Sequence, residues 1–347
     1  MRIAITADPY IPVPPSLYGG IERVIAFLIA GLVKRGHDVT LFAHPDSSVA
    51  GAVLIGYGMP PHAGIVPRLA ELAQVGSALM RRYREYDIVH SFGRLAALLP
   101  ILPVRTCPKV QSYQREVSWP GVRRAMKVAR SSLQFTACSR SVFRAHANDP
   151  TVGRWHAIFN GVDVDAYRAV AVVPPDAPLV FLGRIERVKG VHVAVDVARR
   201  SGRRLVIAGN VVRDGEGRDY FEREIEPSID GRQIEYVGPV DDRAKNQLLG
   251  SAAALVFPTM FEEPFGIVMA EAMACGTPVV AFARGAVPEV IIEGVNGFAC
   301  RDEEELVAAV GRLDTISRVA VRADCERRLS ADVIVSQYEA LYRHVVS

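Results

Sequence analysis

The segment Glu263-Pro-Phe-Gly-Ile-Val-Met-Ala-Glu271 carries two carboxylates at the edges of a run that is otherwise uncharged and mostly apolar. Around it, "AALVFPT" reads as a strand, "MFEEPFG" as a loop and "IVMAEAMACG" as a helix that ends at Gly276. Phe265, Gly266 and Ile267 then sit at a helix N-terminus, where free amides and the positive end of the helix dipole favour an anion. Glu263 lies in the loop before that end and Glu271 within the first two turns, so both acids can face one ligand that also offers a phosphate. Carboxylate oxygens accept strong, charge-assisted hydrogen bonds from sugar hydroxyls. The apolar residues between them are the helix face that packs on a sheet. Either glutamate alone has a plainer account, as a helix N-terminal acid or a chance neighbour.

Two further loops have the composition of an anion site. "FLGRIERVKG" puts Arg184 and Lys189 just beyond a strand end, with Gly183 and Gly190 beside them. Such cations can hold a diphosphate, Arg through its planar fork and Lys as a point charge; a solvated surface pair is the alternative. After the first strand a dinucleotide-binding protein would show GxGxxG. The loop here is "ADPYIPVPPSLYGGIERV", stiffened by prolines and ending in Gly19-Gly20 before a helix. A glycine pair there lets backbone amides approach a ligand, or serves only as a turn. The missing GxGxxG argues against a nicotinamide dehydrogenase.

Positioning these loops takes a repeated strand–helix frame. In the first half, "RIAITA", "DVTLFA", "DIVHSF", "KVQSY" and "QFTACS" read as strands; in the second, "LVFLGR", "RLVIAG", "IEYVG", "AALVFPT" and "PVVAFA" do. Helical patterns such as "GIERVIAFLIAGLVKRG", closing on Gly36, lie between them. This alternation implies parallel sheets with crossover helices and ligands at the C-terminal strand ends. The 347 residues fit two domains. The proline-dense stretch Ala169–Pro178 is the natural linker. We therefore expect residues 1–170 to form one Rossmann-like domain and 171–329 another, with a terminal helix at about 330–347 packing back onto the first.

Taken in order, these strings resemble glycosyltransferase family 4. The carriers are Glu263-x7-Glu271 within "EEPFGIVMAEAMACGTPVVAF", "YGGIERV", "NGVDVDAYR" (Asn160–Arg168), "GRIERVKG", "YVGPV" (Tyr236–Val240) and "GAVPEVIIEGVNGF" (Gly285–Phe298). The resemblance implies the GT-B fold, two doubly wound α/β domains facing each other across a cleft, and a retaining transferase acting on a nucleoside diphosphate sugar. By the same resemblance Arg184 and Lys189 neutralise the donor diphosphate, Glu271 binds the ribose hydroxyls and Glu263 the donor sugar. The amides around Phe265, Gly266 and Ile267 hold the sugar and distal phosphate. Gly183, Gly209 and Val240 belong to the same donor side, and Gly19 and Gly20 approach the phosphates from the other domain. Fixed cations and a helix dipole stabilise a departing diphosphate electrostatically, so no metal and no cofactor beyond the donor substrate is expected. Asp163-Val-Asp165 mimics a metal-binding DxD but occupies a family turn. Retention with no evident nucleophile implies front-face attack. His90 is the catalytic candidate of the first domain, with a core histidine as the alternative; Phe92 stands where many relatives carry a second histidine.

Charge bears on the acceptor. Residues 1–170 hold 20 Lys and Arg against 11 Asp and Glu, whereas the remainder holds 21 against 27. "VRRAMKVAR" (Val122–Arg130) concentrates Arg123, Arg124, Lys127 and Arg130. The expected partners are a nucleotide-sugar donor and an acceptor glycan, lipid-linked sugar or natural product. Peripheral contact with an anionic membrane is a further expectation, set against a solvated helix face; nucleic acid is not expected. The five scattered cysteines contain no CxxC, which disfavours zinc and thioredoxin chemistry. With no signal-peptide pattern at "MRIAITA" and no apolar run near ~20 residues, the expected location is the cytoplasm. A GT-B sugar-nucleotide 2-epimerase and a non-catalytic binder remain as alternatives.

Overall fold

The computed structural model describes residues 1–15, 19–58, 65–212 and 215–347, and of residues 65–68 the backbone alone. The chain divides into two compact units, Met1–Gly161 with Ala331–Ser347, and Val162–Ser330. Each is built on a parallel sheet.

The first sheet has the order β3-β2-β1-β4-β5-β6-β7, from strands Arg2–Thr6 (β1), Asp38–Ala43 (β2), Val53–Gly56 (β3), Ile88–Ser91 (β4), Lys109–Tyr113 (β5), Leu133–Ala137 (β6) and Trp155–Ala157 (β7). The second has the order β10-β9-β8-β11-β12-β13, from Leu179–Leu182 (β8), Leu205–Ala208 (β9), Ile234–Gly238 (β10), Ala254–Phe257 (β11), Val279–Phe282 (β12) and Gly297–Cys300 (β13). Central strands such as "ALVF" and "VVAF" are buried along their whole length, as helices on both faces of a parallel sheet require. In each sheet the winding direction reverses once, between β1 and β4 and between β8 and β11. Loops leaving the C-terminal ends of such strand pairs diverge and leave a crevice, the usual ligand position in open α/β sheets.

Helix Gly20–Lys34 shows how pattern becomes packing. Its buried residues Val24, Ile25, Leu28, Ile29 and Leu32 recur at helical spacing. The terminal helix Ala331–Val346 lies against it in the first unit. Gly31 makes the close approach feasible, because a Cβ there would stand 2.6 Å from Val335 Cγ2. Arg35 adds an ion pair with Glu339 at 2.9 Å.

The crossing between units falls at Gly161/Val162 rather than after residue 170. Backbone hydrogen bonds explain the shift: Val162 N donates to Leu329 O at 2.9 Å and Val170 N to Cys275 O at 3.0 Å, while Arg168 N reaches Asn246 Oδ1 at 3.2 Å. These bonds fasten residues 162–170 to the second unit. The prolines of Ala169–Pro178 instead shape its own approach to β8, with Ala177 N donating to Pro174 O at 3.0 Å.

Candidate active site

In the second unit the expected donor-side residues flank the reversal point, Arg184 and Lys189 after β8 and Glu263 to Glu271 after β11. Lys189 ends the single 3-10 turn Arg187–Lys189, and Gly190 follows in the left-handed region at φ 74°. A Cβ on Gly190 would lie 2.1 Å from Pro258 O, so glycine is needed for this loop to reach the end of β11. Met260 N then donates to Val188 O at 2.8 Å, stitching the two loops together.

The stitching sets Lys189 Nζ 2.6 Å from Glu263 Oε2 and 4.7 Å from the centre of the Phe261 ring. Glu263 is itself fixed by its backbone. Its carbonyl accepts from Ala286 N at 2.9 Å, and Gly285 N donates to Glu262 Oε2 at 2.8 Å. Gly285 has φ 56°, and a Cβ there would meet Glu263 O at 2.2 Å. Arg184 sits apart from this pair, half exposed and bridged to Glu186 at 2.5 Å.

Helix Ile267–Ala274 begins behind Gly266, whose φ of 76° turns the chain into it. Its opening amides have no carbonyl one turn earlier within the helix, and Phe265 is buried beneath them. Glu271 lies one turn in and is buried. Its Oε1 accepts from Lys245 Nζ at 2.5 Å and from Tyr167 Oη at 2.8 Å. Sequence reasoning missed Lys245 and Tyr167. They stand 26 and 104 residues from Glu271, and no local spacing relates them.

The glycines after β8 and β9 fit the donor side by closeness of backbone. Gly209, at φ 143°, would place a Cβ 1.7 Å from Gly183 O. Val240 is half-buried just before helix Asp242–Ser251, where Asp241 Oδ1 caps Ala244 N at 2.8 Å. In the first unit, Gly19 precedes helix Gly20–Lys34 with φ 155° and is packed on Pro15. Residues 16–18, including Tyr18 of "YGGIERV", lie outside the described residues.

His90 departs from its catalytic expectation. It is fully buried, Nδ1 lies 2.5 Å from Tyr342 Oη and Nε2 lies 2.7 Å from Ser112 Oγ. Burial pushes its pKa down to about 3, so the ring is a neutral link in the core. Ser112 continues the chain of hydroxyls to Thr136. A group with both nitrogens occupied and no solvent access is positioned to hold the terminal helix, not to meet a substrate.

Asp163 spends Oδ1 on the Asp165 amide at 3.2 Å, as a cap for the short turn Val164–Ala166. Among the described residues no group of three or more His, Cys, Asp and Glu is placed to hold a metal. All five cysteines are buried free thiols. Of the basic stretch Val122–Arg130, whose first three cations lie on helix Trp119–Ala129, Arg123 is paired with Asp149 at 2.7 Å, which removes one of its four cations from the surface charge. No helix among the described residues is long and apolar enough to cross a membrane.

Comparison with known proteins bears on the family and the fold. Residues 18–166 match the family model "Glycosyltransferase Family 4" and residues 165–321 the model "Glycosyl transferases group 1". A glycogen synthase of Mycobacterium tuberculosis (strain H37Rv) is 29% identical over 96% of this chain and 91% of its own. The crystal structure of AviGT4, a glycosyltransferase involved in avilamycin A biosynthesis, aligns with TM-score 0.70 and 26% identity over 99% of this chain and 98% of its own. Anabaena Alr3699/HepE in complex with UDP-glucose aligns with TM-score 0.72 and 21% identity over 99% and 100%. With its two halves matched in order and its fold shared end to end, the chain belongs to the family 4 and group 1 glycosyltransferases of GT-B fold and is a glycosyl-transferring enzyme.

Proposed function

We propose that the enzyme moves a sugar from a nucleoside diphosphate sugar to an acceptor hydroxyl with retention of configuration, without a divalent metal. The observation that carries this reading is the Lys189–Glu263 contact at 2.6 Å beside the opening of helix Ile267–Ala274, all at the reversal point of one sheet. A cation, an acid that can bind sugar hydroxyls and the positive end of a helix are what a sugar diphosphate needs. The UDP-glucose complex of Alr3699/HepE, on the same fold, lends support to a donor of that class.

In this mechanism Lys189 exchanges Glu263 for a diphosphate oxygen, and Glu263 turns to the donor sugar's hydroxyls. Arg184 swings from Glu186 to add a second cation. As the glycosidic bond breaks, negative charge grows on the leaving diphosphate, and these cations, already moved into place on donor binding, meet it together with the helix N-terminus. Glu271, held at a fixed angle by Lys245 and Tyr167, accepts from the ribose hydroxyls. The acceptor hydroxyl attacks from the face the diphosphate leaves, passing its proton to the departing phosphate oxygen. The protein's share is orientation and electrostatics.

Thermal-shift screening of uridine, guanosine, adenosine and thymidine diphosphates tests the donor. We expect one to raise the melting temperature clearly, because it binds only the folded chain. The shift should shrink in Lys189→Ala and Glu271→Ala and persist in Asp163→Ala. No shift with any of the four would overturn the reading.

A further inference from the structure

The first unit has its own cavity, of about 560 Å³, at the reversal point between β1 and β4. That volume is in the range that encloses a small ligand. Its walls come from Asp8 after β1, the run after β4, the end of β5 and one side of helix Trp119–Ala129. The lining is two-sided in character. Phe92, Leu95, Leu99 and Val128 supply apolar surface, and Leu99 and Val128 remain 58% and 47% exposed at its edge. Arg94, Arg115 and Arg124 supply guanidinium groups. Of the two acids present, Asp8 stands 3.7 Å from Arg115 and so offsets one of the three cations.

A buried donor also awaits an acceptor. Gln114 lines the cavity, and its Oε1 is taken by Asn160 Nδ2 at 2.7 Å. Its Nε2 is buried with no hydrogen-bond partner among the described residues. Such a group costs free energy unless an oxygen meets it.

We propose that this cavity binds an amphiphilic anion, a compact apolar or aromatic body carrying a free hydroxyl and a phosphate or carboxylate that Arg94 and Arg124 engage. Within the glycosyl-transfer reading, on which this step rests, that molecule is the acceptor. A polyhydroxylated glycan fits poorly, because its hydroxyls would lie unpaired against Leu95, Leu99 and Val128.

Calorimetric titration with 1-naphthyl phosphate tests the proposal, in a Lys189→Ala background so that the donor side does not compete for phosphate. We expect one bound probe per chain, weakened at least tenfold in Arg124→Ala and abolished in Ala96→Trp, which fills the cavity. Maltotriose should not bind this site. Arg124 is exposed, so its variant keeps the test open if Ala96→Trp fails to fold. Absence of probe binding, binding indifferent to Arg124→Ala, or maltotriose binding that Ala96→Trp removes would each overturn it. Nucleoside diphosphate binding, read separately in chains with Lys189 intact, distinguishes this failure from failure of the donor reading.

Discussion

Replacing Lys189 and Glu263 one at a time separates the roles proposed for them, because the two share a contact and yet are assigned to different parts of the donor. Their side chains are 18% and 14% exposed, and the 2.6 Å bond joins them directly. In Lys189→Ala the diphosphate loses a charge-assisted hydrogen bond, worth about 1.5–3 kcal/mol. That corresponds to roughly 10- to 150-fold weaker binding. The lower end is expected, since the wild-type lysine must first leave Glu263. In Glu263→Gln the lysine is held only by a neutral amide, so it is released more readily. Nucleoside diphosphate affinity should then hold or rise by about fivefold, for roughly 1 kcal/mol less to break. Transfer should still fall by an order of magnitude or more, because the sugar's hydroxyls lose their carboxylate. Isothermal titration with the best nucleoside diphosphate, paired with a product assay, reads both effects. If Glu263→Gln weakens the diphosphate as much as Lys189→Ala does, the acid serves the phosphates or the loop, and the assignment of the sugar to Glu263 fails.

Stability should depend on pH through His90. Its folded pKa of about 3 lies below the unfolded value near 6.5, so only the unfolded chain takes up this proton between those limits. Stability is therefore lost as pH falls through that window, by at most about 1.4 kcal/mol per pH unit. Melting curves from pH 7 to pH 4.5 should drop less steeply in His90→Asn than in wild type; parallel slopes would contradict the buried neutral ring. Gly285→Ala forces a side chain against Glu263 O and strains φ 56°, so transfer should fall severalfold in a product assay while the diphosphate thermal shift survives. Transfer measured in excess EDTA should equal that in buffer, and a large loss restored by Mg²⁺ would refute metal independence.

The strands that carry site loops were legible because each is a short, continuous apolar run bounded by turn residues. β8, β9 and β11 lie where "LVFLGR", "RLVIAG" and "AALVFPT" put them. β3, β7 and β13 were not read. Val53–Gly56 is only half-buried at a sheet edge, Trp155–Ala157 is three residues long, and Gly297–Cys300 opens on a glycine. Short edge strands carry too little pattern to stand out. The two acids stood out through their spacing about one helix N-terminus, Glu263 in the loop before helix Ile267–Ala274 and Glu271 one turn into it. Lys245 and Tyr167 were not, since their meeting with Glu271 depends on how separate elements pack. The linker reading failed for a related reason: prolines mark stiffness, whereas the crossing point is set by which backbone bonds each residue makes.

Helix Ala331–Val346 has a consequence for how the two units fold. Residues 162–330 form one contiguous stretch, whereas the other unit joins residues 1–161 to 331–347. Tyr338 and Tyr342, which close that unit's core over His90, reach it across the whole of the second unit, and the His90–Tyr342 bond spans 252 residues. Closing so long a loop costs more entropy than closing a short one, and folding of the intervening residues into a compact body shortens the span that the last helix must bridge.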